Sequence, residues 1–451
     1  MKPGGTSEPR SVRRVLIAST IGTAIEWYDF YLYATASALV FGPLFFPGSS
    51  AAGGVLASFA TYAAGFVARP LGGLLFGHFG DRVGRKSMMV WTLLVMGIAT
   101  FGVGLLPTYD TAGVLAPVLL VTLRVAQGIG IGGEWGSAVL LSTEHGPPTR
   151  RGFFSSWPAM GFALALFGSN LTFVLISGLP EEDFLSWGWR LPFLGSVVLV
   201  GIGVWVRLGI EETPEFVRGR AENRAARVPV IMVLRRWPRR VVIGILASLG
   251  TGSVIAMFTV FLVAHAAKAG PEVRSAVLTG LMIAALGECV TLPVFGALSD
   301  RFGRRKVMIF GYVVAVAAMV PAGAWLSSGD PTLIALVLVP ALTIAHGAIY
   351  GGLAAFLVDL FPTMVRFSAI AVTYQVGVTI SSFWPLVAVA VTGGSSSLLP
   401  VVALFAVVQT VAAIAVACAP DSRAGADLVA DPAGEGRPVG RAVPGEVRDH
   451  R

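Results

Sequence analysis

Six ionisable residues stand inside apolar runs, where a charge is least at home: Glu26, Asp29, Arg69, Arg124, Glu134 and Glu288. An ionised side chain at the centre of a membrane helix costs about 2.5–3.5 kcal/mol on insertion scales, so it faces the bundle interior and finds a partner. At about 1.5 Å per residue, Glu26, Arg69, Glu134 and Glu288 fall in one layer, roughly 12–16 Å from the inner ends of their segments. Glu26 and Asp29 are three residues apart and share a helix face. Two carboxylates on one face in a low dielectric resist ionising together unless an arginine compensates. Such a pair holds a proton near neutral pH and releases it when its surroundings change. Glu26, Asp29, Glu134 and Glu288 are therefore the expected proton-coupling residues. Arg124 stands too far along its helix from Glu134 to pair with it, and serves the midplane or the outer half.

Arg69 and Arg124 are the natural binders of a carboxylate, because a guanidinium presents a planar fork of donors. Trp27, Tyr28, Phe30 and Tyr31 interleave the acids, and an aromatic cage for a quaternary ammonium is the other reading of that stretch. Trp27, Tyr28 and Tyr31 thus join the arginines as expected substrate-binding residues. Glu26 and Arg69 form either a fixed salt bridge or a titrating site. His265 and His346 lie on apolar faces and read as satisfied core or cavity histidines. No metal cluster, nucleophile with base, or phosphate loop is visible, so neither a cofactor nor an enzymatic reaction is expected.

The elements that carry these residues follow from composition. The chain has 451 residues, of which 55% are hydrophobic and only 13% charged, with a mean hydropathy of +0.77. A soluble domain carries about a quarter charged residues. Twelve apolar segments are long enough to span a bilayer, near 15–46, 55–78, 87–107, 113–142, 153–177, 189–209, 241–266, 275–298, 306–327, 332–358, 366–392 and 398–419. The fold class is an all-α membrane protein. The net charge of +8 is an orientation signal rather than a nucleic-acid footprint. Of the 33 Lys and Arg, only Arg190, Lys268 and Arg274 fall in outer loops, and Arg69 and Arg124 lie within helices. The rest line the inner side, which puts both termini in the cytoplasm and the chain in the cell membrane.

The chain repeats itself. "GHFGDRVGRKSMM" (77–89) and "GALSDRFGRRKVM" (296–308) place Gly77, Asp81, Arg82, Gly84 and Arg85 against Gly296, Asp300, Arg301, Gly303 and Arg304 at a constant offset. The same offset maps Glu288 onto Arg69, so the two are expected at equal depth in opposite halves, where they would bridge a central cavity. A looser echo sets Glu144, Pro147 and Arg151 against Asp359, Pro362 and Arg366. The expected organisation is a cytoplasmic segment at 1–14, a six-helix bundle at 15–209, an Arg-rich linker at 210–240, a second bundle at 241–419 and a disordered tail at 420–451. Gly128, Gly132 and Gly136, with Gly73 and Gly77, make small-residue rows that let helices approach closely.

The doubled G-x-x-x-D-R-x-G-R-[KR] loop resembles that of the major facilitator superfamily, over about 15–420. "EWYDFYLY", "RVAQGIGIGGEWG", "WGWRLPF" and "EETPEF" resemble its metabolite:proton symporter branch, and "RVAQGIG" also resembles a superfamily motif linked to proton coupling, which implies a proton-coupling role for Arg124. The resemblance implies two pseudo-symmetric six-helix bundles, alternating access, and repeated loops acting as a conformational latch. It also implies a small-molecule substrate taken up with protons, a lipid bilayer as surroundings, no nucleic-acid partner, and action as a monomer. Members of that branch import organic acids such as dicarboxylates, ketoacids and shikimate-like compounds, or osmolytes such as proline and betaine. The fifth segment, "WPAMGFALALFGSN", lacks the glycine motif of drug antiporters, and the tail lacks the heptads of osmosensing members. An ion channel, an exporter and a non-transporting sensor are the rival readings.

Overall fold

A computed structural model of the chain describes residues 9–420, apart from 49, 84, 133–138, 140–141, 144–146, 177, 209–229, 269, 329, 363–364 and 393–397. Lipid offers no partner to backbone N–H and C=O groups, so apolar runs of this length satisfy their own hydrogen bonds as helices. Among the described residues, twelve helical spans cross the structure. In the N-terminal half these are α1 (Pro9–Leu39), α2 (Ala51–Val83), α3 (Arg85–Gly104), α4 (Leu115–Ile131), α5 (Arg151–Ile176) and α6 (Leu191–Leu208). In the C-terminal half, α7 (Pro238–Ile255) runs through a π-helical Ala256–Phe261 into Leu262–Lys268, and α8 (Pro271–Phe302) and α9 (Arg304–Ser328) follow. Then come α10 (Pro331–Pro340, π-helical Ala341–His346, Gly347–Leu360), α11 (Arg366–Ser382, then Trp384–Thr392) and α12 (Leu399–Ala417). Seven helices among the described residues are both long and apolar enough by themselves to cross a bilayer. Outward faces are apolar: Ile98, Leu175, Trp205, Val290 and Leu399 are exposed, as a lipid-facing surface requires.

The helices depart from the apolar segments in two places. The first run is broken: α1 stops at Leu39 and Phe41–Phe45 forms a separate short turn. And α2 and α8 outrun their apolar stretches, because backbone hydrogen bonding continues after the membrane ends. Asp81, Arg82, Asp300 and Arg301 therefore sit in the last helical turns rather than in a loop. At the end of α8, Gly303 has φ +96°, a conformation that side-chain-bearing residues rarely adopt.

The small-residue rows bring α2 against α4. A Cβ at Gly128 would collide with the backbone carbonyl of Gly65, and one at Gly132 with that of Arg69. Backbone cannot yield as a side-chain tip can. Gly128→Ala should cost about 1–3 kcal/mol by overpacking, read as a lower unfolding temperature of the purified protein in micelles. An unchanged temperature would mean that the two helices are free to part.

The halves meet at three levels. At the basic end, α5 packs on α8, where Gly152 and Gly296 bring the two backbones together. In the middle, Gln375 on α11 donates to the Gly132 carbonyl (3.1 Å) and Thr379 to the Phe66 carbonyl (3.1 Å). At the opposite end α1 packs against Leu262–Lys268, and Arg274 lies over the Phe184 ring at 5.6 Å. The centre is thus closed from both sides.

Candidate functional site

The core of the N-terminal half is built around two guanidinium groups. Arg69 and Arg124 are both fully buried. The α2–α4 contact explains why they are neighbours: Gly65 has no side chain, and the stem of Arg124 fills the space a Cβ would take. Aromatic rings frame both. The Arg69 guanidinium lies 4.8 Å from the Trp27 ring, 4.2 Å from Phe30 and 4.1 Å from Phe66. Arg124 lies 4.1 Å from Phe30, 4.1 Å from Tyr33 and 5.2 Å from Tyr62. A ring face attracts a cation but accepts no directed hydrogen bond of ordinary strength. All three Arg69 guanidinium nitrogens, with Nε and Nη2 of Arg124, accordingly lack a hydrogen-bond partner among the described residues. A buried cation with unspent donors is a receptor for an anion.

The remaining donor of Arg124 starts a polar chain. Arg124 Nη1 donates to Gln127 Oε1 (3.1 Å), Gln127 Nε2 donates to Thr100 Oγ1 (2.7 Å), and Thr100 Oγ1 donates to Asp29 Oδ2 (2.7 Å). All four side chains are buried. Asp29 is thereby linked to Arg124 through two neutral groups on α3 and α4. Glu26 takes another direction, lying buried within electrostatic range of Arg69. The shared helix face did not make the two acids a pair, since each is drawn to a different neighbour.

The expected Arg69–Glu288 bridge is not made. Glu288, on α8, is hydrogen-bonded to His346 on α10: His346 Nδ1 meets Glu288 Oε1, with both side chains buried. The rings of Trp27 and Phe30, the alternative cage for a quaternary ammonium, face the chain's own guanidiniums. Tyr28 turns away to α5, where its hydroxyl meets Thr172 Oγ1 at 3.2 Å. Tyr31 stays at the centre, buried 6.0 Å from Phe162 and in electrostatic range of Glu288. Glu134, Gly84 and Gly136 lie outside the described residues.

Four central residues were not read from the sequence as functional. Gln127 and Thr100 look like ordinary polar residues in apolar helices. His346 reads as a core histidine. Phe162 links the halves, 3.6 Å from the Trp27 ring and 5.0 Å from Tyr350. A signal existed for His346, because a histidine and an acid in separate membrane helices are each costly without a partner.

At the basic end, the second copy of the repeated motif crosses between halves. Asp300 accepts from the backbone N–H of Gly152 (2.8 Å) and Phe153 (3.0 Å), the first turn of α5. It also accepts from Arg304 (2.9 Å). Arg304 reaches on to Asp359, which meets Arg151 at 3.4 Å. Gly296 lies against Gly152, and Arg301 is exposed. In the first copy, Gly77, Asp81 and Arg82 lie in the last turns of α2 and Arg85 opens α3.

Comparison with known proteins agrees with this architecture. Residues 19–385 match the family model of the Major Facilitator Superfamily. An inner membrane metabolite transport protein of Escherichia coli (strain K12) is 43% identical over 372 residues, 81% of this chain and 84% of that protein. A shikimate transporter of the same organism is 40% identical, covering 86% of this chain and 89% of that protein. Its proline/betaine transporter is 32% identical, covering 86% and 79%. Among solved structures, a D-xylose-proton symporter superposes with a TM-score of 0.70 at 16% identity, over 91% of this chain and 99% of that one, a likeness of fold. The chain belongs to the Major Facilitator Superfamily and is a multi-pass membrane transporter of metabolites, not an enzyme.

Proposed function

We propose that this transporter imports a small organic carboxylate together with protons, by alternating access, with both termini in the cytoplasm. The observation that carries the reading is Arg69: a fully buried guanidinium whose three nitrogens have no hydrogen-bond partner among the described residues. The substrate carboxylate takes those donors, and Arg124 adds its free Nε and Nη2. Charge supports the proton. Arg69 and Arg124 stand among Glu26 and Asp29, two cations and two anions when all are ionised. An incoming carboxylate adds a negative charge to a low-dielectric site, and a proton on one acid cancels it. Loaded and empty carriers then bury the same net charge, which lets both reorient. The similarity to a shikimate transporter supports an acid. The similarity to a proline/betaine transporter supports a zwitterion as the second reading, since Arg69 would hold its carboxylate equally well.

The test is uptake into proteoliposomes under an imposed inward pH gradient, with α-ketoglutarate, shikimate, benzoate, proline and glycine betaine as the panel. Gradient-driven uptake of an acid is expected, with at least a ten-fold loss in Glu26→Gln. Uptake of betaine or proline in preference to every acid would install the second reading. Gradient-independent movement of all five would sink proton coupling.

A further inference from the structure

We infer that the His346–Glu288 pair is a proton-binding site in the C-terminal half, linked to the Arg69 site by a run of stacked rings. The inference rests on the proposed symport reading and adds to it a site that lies outside the α1–α4 charge cluster.

The pair has the parts of a one-proton unit. His346 Nδ1 and Glu288 Oε1 are in direct contact and their side chains are 1% and 2% exposed. With neutral imidazole and ionised carboxylate the pair carries one negative charge. A proton taken up on the imidazole nitrogen converts it to imidazolium and carboxylate, with no net charge. Burying a lone carboxylate costs more than burying a compensated pair, so occupancy by the proton and closure of the centre favour each other. Histidine is the side chain whose ordinary titration falls in the physiological range.

The surroundings are weakly titratable. Cys289 follows Glu288 on α8, Tyr31 faces it from α1, and Tyr350 lies parallel beneath His346 on α10, 5.1 Å away. Tyr374 of α11 meets the Tyr350 hydroxyl at 3.4 Å. Tyr312 of α9 is committed to the Ala247 carbonyl of α7, and His265 at the far end of α7 stacks on Phe261. The other charges on α5 and α7–α11 stand at the helix ends: Arg151, Arg239, Arg240, Asp300, Arg301, Arg304, Arg305, Lys306, Asp359 and Arg366 at the basic end, and Lys268, Glu272 and Arg274 at the opposite end. Glu288 and His346 stand about 20 Å from the basic end along α8 and α10.

The link to substrate is continuous. His346 stacks on Tyr350, Tyr350 meets Phe162 across the boundary between halves, Phe162 meets Trp27, and Trp27 faces Arg69. His346 also ends the π-helical turn Ala341–His346. Such turns recur at functional sites. A change at Arg69 that moves Trp27 must move Phe162 and Tyr350, and Tyr350 is the floor on which the imidazole rests.

The experiment has two arms. In the first, the full-length protein labelled with 15N-histidine is placed in lipid nanodiscs and its imidazole nitrogens are followed from pH 5 to 9. The chain has 5 histidines, and His346→Gln identifies the resonance. His346 should pass from imidazolium to neutral imidazole in this range, and Glu288→Gln should move the midpoint by at least one pH unit. A ring that keeps one form throughout, or titrates identically once the neighbouring carboxylate has become an uncharged amide, overturns the site. In the second arm, His346→Gln proteoliposomes should lose at least ten-fold in gradient-driven uptake of the transported panel compound, while exchange at equal pH stays within three-fold. Loss of both would make the pair a substrate contact and overturn its proton role. If no panel compound moves, the symport reading fails and the resonance titration alone decides whether a proton site exists.

Discussion

Arg69→Met is expected to abolish acid uptake, by at least 100-fold, while the protein still folds. Two charge-assisted hydrogen bonds to a carboxylate are worth about 1.5–3 kcal/mol each, and a thioether makes neither. The fold tolerates the change because the guanidinium's balance of stability is nearly even. Burying a cation without hydrogen bonds costs several kcal/mol. Three ring faces return about 1 kcal/mol each, and more where desolvated. Methionine fills a similar volume and keeps contact with the same rings. The unfolding temperature of Arg69→Met should therefore lie within about 5 °C of the parent, since a kcal/mol moves a chain of this size by only a few degrees. Arg69→Lys keeps the charge but loses the planar fork and its stacking, and should lose at least ten-fold. The measurement is initial uptake against reconstituted protein, beside thermal unfolding of the same preparation. An Arg69→Met carrier that moves the acid within three-fold of the parent would remove Arg69 from the binding site.

This separation between activity and stability is informative because a structural role predicts the opposite pattern. A fixed Glu26–Arg69 salt bridge would make Arg69→Met strongly destabilising, leaving a buried carboxylate uncompensated. The two variants thus decide between the alternatives that the sequence left open. The Glu26 carboxylate lies in range of the guanidinium, yet the guanidinium nitrogens make no hydrogen bond to it. The hydrogen-bond donors of the guanidinium are thus open to an external carboxylate, beside a nearby counter-charge.

The spans, the internal repeat and the layer of buried charge were legible because each rests on composition or on local spacing. Arg69, Arg124, Glu26, Asp29 and Glu288 could be placed by depth alone. Their partners could not, because pairing depends on which helices are adjacent and how each is rotated. Glu26 and Asp29 illustrate this. Three residues of separation put them on one face, yet one is drawn toward α2 and the other toward Thr100 of α3. His346 was hidden by backbone geometry. A π-helical turn holds one more residue than a regular turn, about 100° of rotation, so a regular helical wheel displays His346 on the wrong side. The repeat misled in one respect. It aligned Arg69 with Glu288, and pseudo-symmetry was then read as contact. Symmetry mates occupy equivalent places in their own halves, and each is free to find a partner there.

Asp300→Ala is expected to open the basic end by about 30-fold in the ratio of open to closed carriers. Asp300 lies on α8, but it accepts from the Gly152 and Phe153 amides of α5, so part of its hydrogen bonding exists only while the halves are together. A carboxylate at a helix N-terminus is worth about 2 kcal/mol in favourable, partly buried geometry, and 2 kcal/mol is roughly 30-fold. The Arg304 contact is within one half and persists in both states, so it adds nothing to the difference. Arg151–Asp359 does cross between halves, but at 3.4 Å with the Arg151 side chain 34% exposed it is worth under about 1 kcal/mol. Arg151→Ala should therefore shift the ratio by less than five-fold. Spin labels on the exposed positions 150 and 301, in a background with Cys289 and Cys418 replaced by serine, would report the distance between α5 and α8 at that end. Asp300→Ala should add a longer population, and Asp300→Asn, whose amide oxygen still accepts from one backbone N–H, should fall between it and the parent. If Arg151→Ala opened the end as far as Asp300→Ala, the closure would belong to the surface ion pairs and not to the capped helix.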